Sequence, residues 1–340
     1  MMKQAIATLA DGDDLSYEVA KAVMDELMSG GCSEAQIGAF LMGLRAKGET
    51  VNEITAFAEV MRAQSVRLRP NLEDTSLVDV CGTGGAQHKT FNVSTISALV
   101  IAGAGCPVAK HGNRGVTSPC GSADLLEVLG VNLDVDPAVV ETMIEEIGIG
   151  FLFARNLHPA MKYAAGPRQA LGIRTVFNML GPLTNPAGAT AHLMGVFSPA
   201  LVEIYPEVLN RLGVARALVV HGVDGIDEIS TVGPTQVGEL RDGRIDYYQI
   251  KPEDYSFQRT SIDRVAGLDP EASAALARRL LHGELKDERY EMVLLNAGAG
   301  IYVANGADSI AAGIEQAEES IQSGAAYDKL EALIAKTQGT

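Results

Sequence analysis

Apolar positions recur at helical spacing through the first seventy residues and change rhythm after Pro70. In LSYEVAKAVMDELMSGG, Val19, Val23 and Leu27 fall four apart, and the Gly30-Gly31 pair supplies a stop. Ser33 with Gln36, and Thr50 with Glu53, have the spacing of capping boxes, in which a hydroxyl accepts from the backbone three residues on while the longer side chain reaches back. Each pair opens an apolar-periodic run, and no strand-like stretch separates them. Residues 1–70 are therefore expected to form a small all-helical N-terminal domain.

From there helix and strand patterns alternate. SLVDVCGTGG predicts a buried strand entering a glycine turn, NVSTISALVIAG a helix, CPVAKHG a second strand and SADLLEVLG a second helix. Asp136 and Pro137 make an N-cap and first-turn pair before AVVETMIEEIG, whose Val140, Met143, Ile144 and Ile147 share a face. AHLMGVF, ALVVHG, QVGEL, DYYQI and MVLLNAG read as strands, with ALVEIYPEVLNRLG and DSIAAGIEQAEESIQSG as helices. This alternation predicts a larger α/β domain, residues 76–163 and 189–340, with a mostly parallel central sheet flanked by helices. Residues 164–188, rich in Gly, Pro and Asn, break the rhythm and are expected to complete the helical domain. NAGAGIYVA, 296–304, imitates a dinucleotide loop without its third glycine and reads as a turn at the sheet edge.

Composition narrows the function classes. A length of 340 residues fits two domains, and 47% hydrophobic residues can build large cores. Lys and Arg total 27 against 43 Asp and Glu, a net charge of −16, which argues against a general binder of nucleic acid or anionic membrane. Cys32, Cys81, Cys106 and Cys120 show no CxxC spacing and read as reduced thiols of a cytoplasmic protein. The start MMKQAIATLADGDD has no apolar signal core. Phe91 to Ala109 carries no charge, but Asn92, Ser94, Thr95, Ser97 and Pro107 make it a buried helix and strand rather than a membrane span. Glycine stands out at 36 residues, about 11% of the chain against roughly 7% ordinarily, so close backbone approaches are expected.

Four constellations carry chemistry. Gly82-Thr83-Gly84-Gly85 follows a strand and precedes a helix, where backbone N–H groups and the helix dipole favour an anion. Thr90, Asn92, Ser94 and Thr95 add hydroxyl and amide groups nearby. Lys110-His111-Gly112-Asn113-Arg114 puts three potential cations at the carboxyl edge of the sheet, where ligands of α/β proteins bind. Asp224-Gly225-Ile226-Asp227-Glu228 places adjacent carboxylates on a loop, a hard-oxygen set suited to Mg²⁺ beside a phosphorylated ligand. His158 to Lys162, followed by Arg168, offers a guanidinium for a planar carboxylate. Singly these also read as a tight turn, a solvated basic loop, an acidic surface turn and a structural ion pair. No HExxH, GxSxG or histidine metal spacing occurs.

In combination, DVCGTGG–KTFNVST, VAKHGNRGVTS–GSADLLEVLG, HPAMKYAAGPRQALGIRTVFNMLGPLTNP, HGVDGIDEIS and NAGAGIYVA resemble the anthranilate phosphoribosyltransferase family over most of residues 15–325. The resemblance implies transfer of a phosphoribosyl group from phosphoribosyl pyrophosphate to the amine of anthranilate, with Mg²⁺, in a homodimer joined through the helical domain. It implies that Gly82 to Gly85, Thr90, Asn92, Ser94, Thr95, Lys110 and Ser122 bind the donor, and that Asp227, Glu228 and Ser94 hold the metal. Gly82, His111, Asn113, His158, Arg168 and Pro182 would line the anthranilate path, with no dedicated acid or base. Lys110, Arg114 and Arg168 are expected to make this one cleft positive.

Two departures from the family pattern are visible. Many relatives read GTGGDG, whereas Ala86-Gln87-His88 follows Gly85 here, which bears on the number and affinity of metal ions and directs attention to His88 and Lys89. Pro119-Cys120 replaces a more usual polar pair and reads as loop variation. Two rival readings stand beside the transferase: a pyrimidine-nucleoside phosphorylase of the same architecture, and a non-enzymatic relative that binds nucleic acid.

Overall fold

The computed structural model describes residues 1–73, 75–115 and 117–339. The N-terminal helices are α1 (Met2–Ala10), α2 (Tyr17–Met28), α3 (Glu34–Lys47) and α4 (Val51–Ala63), and side chains cap the last three, at Ser16, Ser33 and Thr50. Both capping boxes close: Gln36 N donates to Ser33 Oγ at 3.3 Å and Glu53 N to Thr50 Oγ1 at 3.3 Å, with each longer side chain accepting in return. Glu53 is fully buried because its carboxylate also accepts from Leu15 N and from Lys47 Nζ. Val23, Leu27, Phe40 and Phe57 pack between these helices.

The helices Lys162–Leu171 and Phe177–Leu180 share that core through Ala164, Phe177 and Leu180. Arg62 of α4 ties the junction, donating from Nε to Leu183 O at 2.7 Å and from Nη1 to Leu212 O at 3.2 Å.

The second layer is a seven-stranded sheet. Its strands are β1 (Val78–Gly82), β2 (Val108–Gly112), β3 (Ile149–Phe153), β4 (Ala191–Gly195), β5 (Arg216–Gly222), β6 (Thr235–Arg241) and β7 (Arg244–Ile250), in the order β3-β2-β1-β4-β5-β6-β7. The first five run parallel; β6 and β7 are antiparallel. The chain moves outward from β1 to β2 and β3, then returns to the other side of β1 as β4. That reversal opens a crevice at the carboxyl ends of β1 and β4. The uncharged stretch 91–109 is the helix α5 (Val93–Gly103) followed by β2, and no helix among the described residues is long and apolar enough to cross a membrane. Two further helices, α6 (Ser122–Leu129) and α7 (Pro137–Ile147), cross between β2 and β3.

One expectation is overturned. MVLLNAG is no strand and NAGAGIYVA no turn: both lie in the helix Glu288–Val303. The glycines there serve helix packing. A Cβ on Gly300 would lie 2.3 Å from Ile101 Cδ1, and one on Gly313 of the following helix 2.2 Å from Gly298 O. Short side chains thus let two helices touch backbone to backbone, a purpose that a local reading cannot separate from a loop.

A buried polar layer lies on the sheet face toward the helical domain. His192 on β4 is fully buried, its Nε2 3.2 Å from Ala189 O, and desolvation holds its pKa near 3. Between pH 6.5 and 3 the unfolded imidazole binds a proton that the folded one does not, so stability falls as pH falls through this window.

Two outcomes are expected. Gly313→Ala lowers stability by about 1–3 kcal/mol through overpacking, read as a lower urea midpoint. Moving from pH 7 to pH 5 costs wild type about 2 kcal/mol from His192 alone. In His192→Gln that part of the pH slope is missing, as urea titrations at the two pH values would show.

Candidate functional site

Four of the five parallel strands end on glycine: Gly82, Gly112, Gly195 and Gly222. Without side chains there, the loops that follow can lie across the strand ends. Thr83 N donates to Gly195 O at 2.9 Å, and Thr83 Oγ1 accepts from Phe197 N at 3.0 Å, so the glycine loop is fastened to the end of β4. Gly84 and Gly85 have φ of 64° and 77°, a region that favours glycine. The first turn of α5 then presents Ser94 and the buried Thr95, whose hydroxyl has no hydrogen-bond partner among the described residues. Asn92 donates from Nδ2 to Cys120 O at 3.1 Å, which fixes the Pro119-Cys120 loop. Thr90 bridges to Ala266, and Ser122 opens α6.

The acidic loop after β5 packs onto this floor. A Cβ on Gly195 would fall 1.6 Å from Asp227 O, and one on Gly82 3.3 Å from Asp227 Oδ2. Asp227 and Glu228 form no ion pair among the described residues. Burial pushes both carboxyls up, Glu228 to about 8, with the Asp227 charge adding to the effect and Lys110 opposing it. Two neighbouring carboxylates without an ion-pair contact are an incomplete set that a hard divalent cation would complete. Asp224 instead shapes the turn, accepting from Ser230 Oγ at 2.5 Å and from Ile226 N at 3.3 Å.

Lys110 and His111 lie within β2 and are buried, so the first half of the basic segment is a strand end, while Asn113 and Arg114 are exposed in the loop after it. His111 Nε2 is 3.3 Å from His158 Nε2, a pair in which a single proton is shared by donor and acceptor. Desolvation lowers both imidazoles, His158 to about 4, so both are neutral at physiological pH. Pro182 is buried in the turn Gly181–Leu183. Arg168 lies half-buried with its guanidinium 5.4 Å from the Phe177 ring, and its side chain has no hydrogen bond or ion pair among the described residues. Asn113 Oδ1 accepts from Arg114 N at 2.8 Å.

Arg114 does not add charge to the cleft as expected. It is consumed by Asp124 at 3.1 Å and Glu127 at 2.8 Å on α6. Its place is taken by Arg174, which sequence reasoning missed although it stands inside the GIRTVFN run. Arg174 Nη2 donates to Gly85 O at 2.7 Å, and Lys89 Nζ donates to the next carbonyl, Ala86 O, at 2.6 Å. Only the fold brings Arg174 to the glycine loop.

A second group of metal-type ligands, Asp79, Cys81 and His192, has donor atoms within 4.8 Å of one another beneath the sheet. Burial raises both the Asp79 carboxyl and the Cys81 thiol, which disfavours the deprotonated forms that a cation there would need. Asp79 instead accepts from His111 N at 3.1 Å, steadying the end of β2.

The chain matches two family models, the helical bundle domain of a glycosyl transferase family over residues 3–65 and the α/β domain of the same family over residues 74–327. It is 53% identical to an anthranilate phosphoribosyltransferase of Haloarcula marismortui over 333 residues, 98% of this chain and 99% of that protein. A Desulfosudis oleivorans protein of the same name is 48% identical over 338 residues, 99% of each chain. The crystal structure of the Thermus thermophilus enzyme superposes with a TM-score of 0.93 at 46% identity, covering 98% of this chain and 99% of that one. The Saccharomyces cerevisiae enzyme in complex with phosphoribosyl pyrophosphate and Mg superposes with a TM-score of 0.91 at 26% identity, covering 100% and 98%. Full-length identity near one half, two matching domain models and one shared fold lead to a single conclusion: the chain belongs to the anthranilate phosphoribosyltransferase family.

Proposed function

We propose that the protein transfers the phosphoribosyl group of 5-phosphoribosyl 1-pyrophosphate to the amine of anthranilate, releasing pyrophosphate, as a step of tryptophan biosynthesis in the cytoplasm. The observation that carries this reading is the acidic pair Asp227-Glu228, half-buried and without an ion pair among the described residues, set directly against a glycine loop at the switch point of the sheet. A phosphate-accepting loop beside a metal-type carboxylate pair matches a donor that is a sugar with two phosphorylated ends.

The family resemblance, together with the position of each motif at the crevice, supports these residue roles. Gly82, Thr83, Gly84 and Gly85 offer backbone to the donor, and Thr90, Asn92, Ser94, Thr95, Lys110 and Ser122 surround its phosphates. Asp227, Glu228 and Ser94 fit Mg²⁺, because their oxygens are hard and the two carboxylates have no direct ion pair among the described residues. When bound there, Mg²⁺ supplies charge neutralisation for the departing pyrophosphate. Gly82, His111, Asn113, His158 and Pro182 line the acceptor's approach, and Arg168, free of any carboxylate of its own, pairs with that of anthranilate.

Departure of pyrophosphate builds positive charge on the sugar, so the chain chiefly has to align the amine and keep water out. The His111–His158 pair is neutral and weakly basic, which suits an orienting role rather than a dedicated base. The proposed assembly is a homodimer through the helical domain, where Met42 of α3 leaves 46% of its surface exposed.

Anthranilate fluorescence should fall on adding phosphoribosyl pyrophosphate and Mg²⁺. Folded protein that leaves it unchanged, yet cleaves thymidine with phosphate, would transfer the assignment to nucleoside phosphorolysis. Arg168→Ala should raise KM for anthranilate about 10- to 100-fold with a much smaller change in kcat. Gly195→Ala, which drives a methyl into the Asp227 carbonyl, should lower kcat on the order of 100-fold while far-ultraviolet circular dichroism stays unchanged.

A further inference from the structure

We propose that Lys89 and Arg174 form a two-armed clamp for the diphosphate leaving group, so that part of its charge is neutralised by the protein itself. The clamp rests on the phosphoribosyl-transfer reading and assigns it two further binding residues.

Two cations from different parts of the chain hold consecutive carbonyls of one loop. Arg174 reaches Gly85 O at 2.7 Å and Lys89 reaches Ala86 O at 2.6 Å. Each is fixed from behind. The Arg174 guanidinium lies 3.8 Å from the centre of the Phe197 ring, and Phe197 N is itself bonded to Thr83 Oγ1. Lys89 is held by Gly267 N, which donates to Lys89 O at 2.8 Å, and by the Thr90–Ala266 bridge that follows.

Both positions are short of negative charge. Neither side chain has an ion pair among the described residues, and each uses a single N–H, on a neutral carbonyl. The neighbouring carboxylate, that of Asp227, acts on both from a distance. At position 86 stands the methyl group of Ala86, 4% exposed, so no acid on the loop competes for Lys89. Half-buried cations parked on neutral carbonyls exchange readily for an anion, because a phosphate oxygen adds the attraction of a full opposite charge to the hydrogen bond and a carbonyl does not. Two cations held on consecutive carbonyls of one loop match two linked phosphates better than one.

The test uses inorganic pyrophosphate and orthophosphate as probes, each titrated into the full chain by calorimetry with Mg²⁺ and with EDTA, alongside inhibition of anthranilate turnover by pyrophosphate. Lys89→Met and Arg174→Met should each weaken pyrophosphate binding about 10- to 100-fold, in EDTA as well as in Mg²⁺. Orthophosphate binding should change much less. Lys89→Arg and Arg174→Lys, which keep the charge, should restore most of the loss and also serve if a methionine variant does not fold. Equal pyrophosphate affinity in wild type and both methionine variants overturns the clamp. An equal loss for orthophosphate does so too, since it reports a general field effect. Wild-type turnover of anthranilate is scored separately, so its absence counts against the transfer reading and not against the clamp.

Discussion

The site depends on one close approach: the Asp227 carbonyl lies where a side chain at Gly195 would begin. A β-strand normally ends in a side chain that holds the next loop away. Here β1 and β4, paired residue for residue up to Gly82 and Gly195, both end bare. The acidic loop therefore settles onto the strand ends, and the glycine loop is fastened beside it through Thr83 N and Gly195 O. Carboxylates and phosphate-accepting backbone meet because neither strand has a Cβ to keep them apart.

That proximity has an electrostatic cost that shapes the surroundings. Asp227 and Glu228 are two like charges in a poorly solvated crevice, where burial raises both carboxyls and the Asp227 charge raises Glu228 further. Lys110 opposes this from β2, but without direct contact. The arrangement is stable as a protein and unsatisfied as an electrostatic set, which is the condition of a site built for a cation and a polyanion together. Either one without the other would face an uncompensated charge.

Much of the fold was legible because its signals are local. The Ser33–Gln36 and Thr50–Glu53 boxes need four residues each, and the strand-then-glycine runs at Gly82 and Gly222 need seven or eight. What escaped depends on contacts between distant segments. IGFLF has no strand signal of its own, since α7 passes to β3 through Gly148 alone, with φ of 75° and no intervening loop to mark the change. NAGAG resembles a turn because its short residues answer to Ile101 and Ile314, which lie in other helices. In the site, the composition of the motifs is visible in the sequence but not their pairing. Arg114 and Arg174 look alike there, and only the position of α6 commits one of them to Asp124 and Glu127.

The charge balance acquires its meaning from that difference. A chain with a net charge of −16 looks ill suited to anionic substrates, yet exposed acids act over only about 8–10 Å in physiological salt. Inside a crevice the potential follows the nearest uncompensated groups. Around this cleft Lys89, Lys110, Arg168 and Arg174 have no carboxylate partner among the described residues, whereas Arg114 at its margin has two. The number of basic residues in a motif is therefore a poor guide to the field it produces. The better measure is how many remain unpaired after folding, and by that measure the acidic protein holds a positive cleft with an acidic pair at its floor.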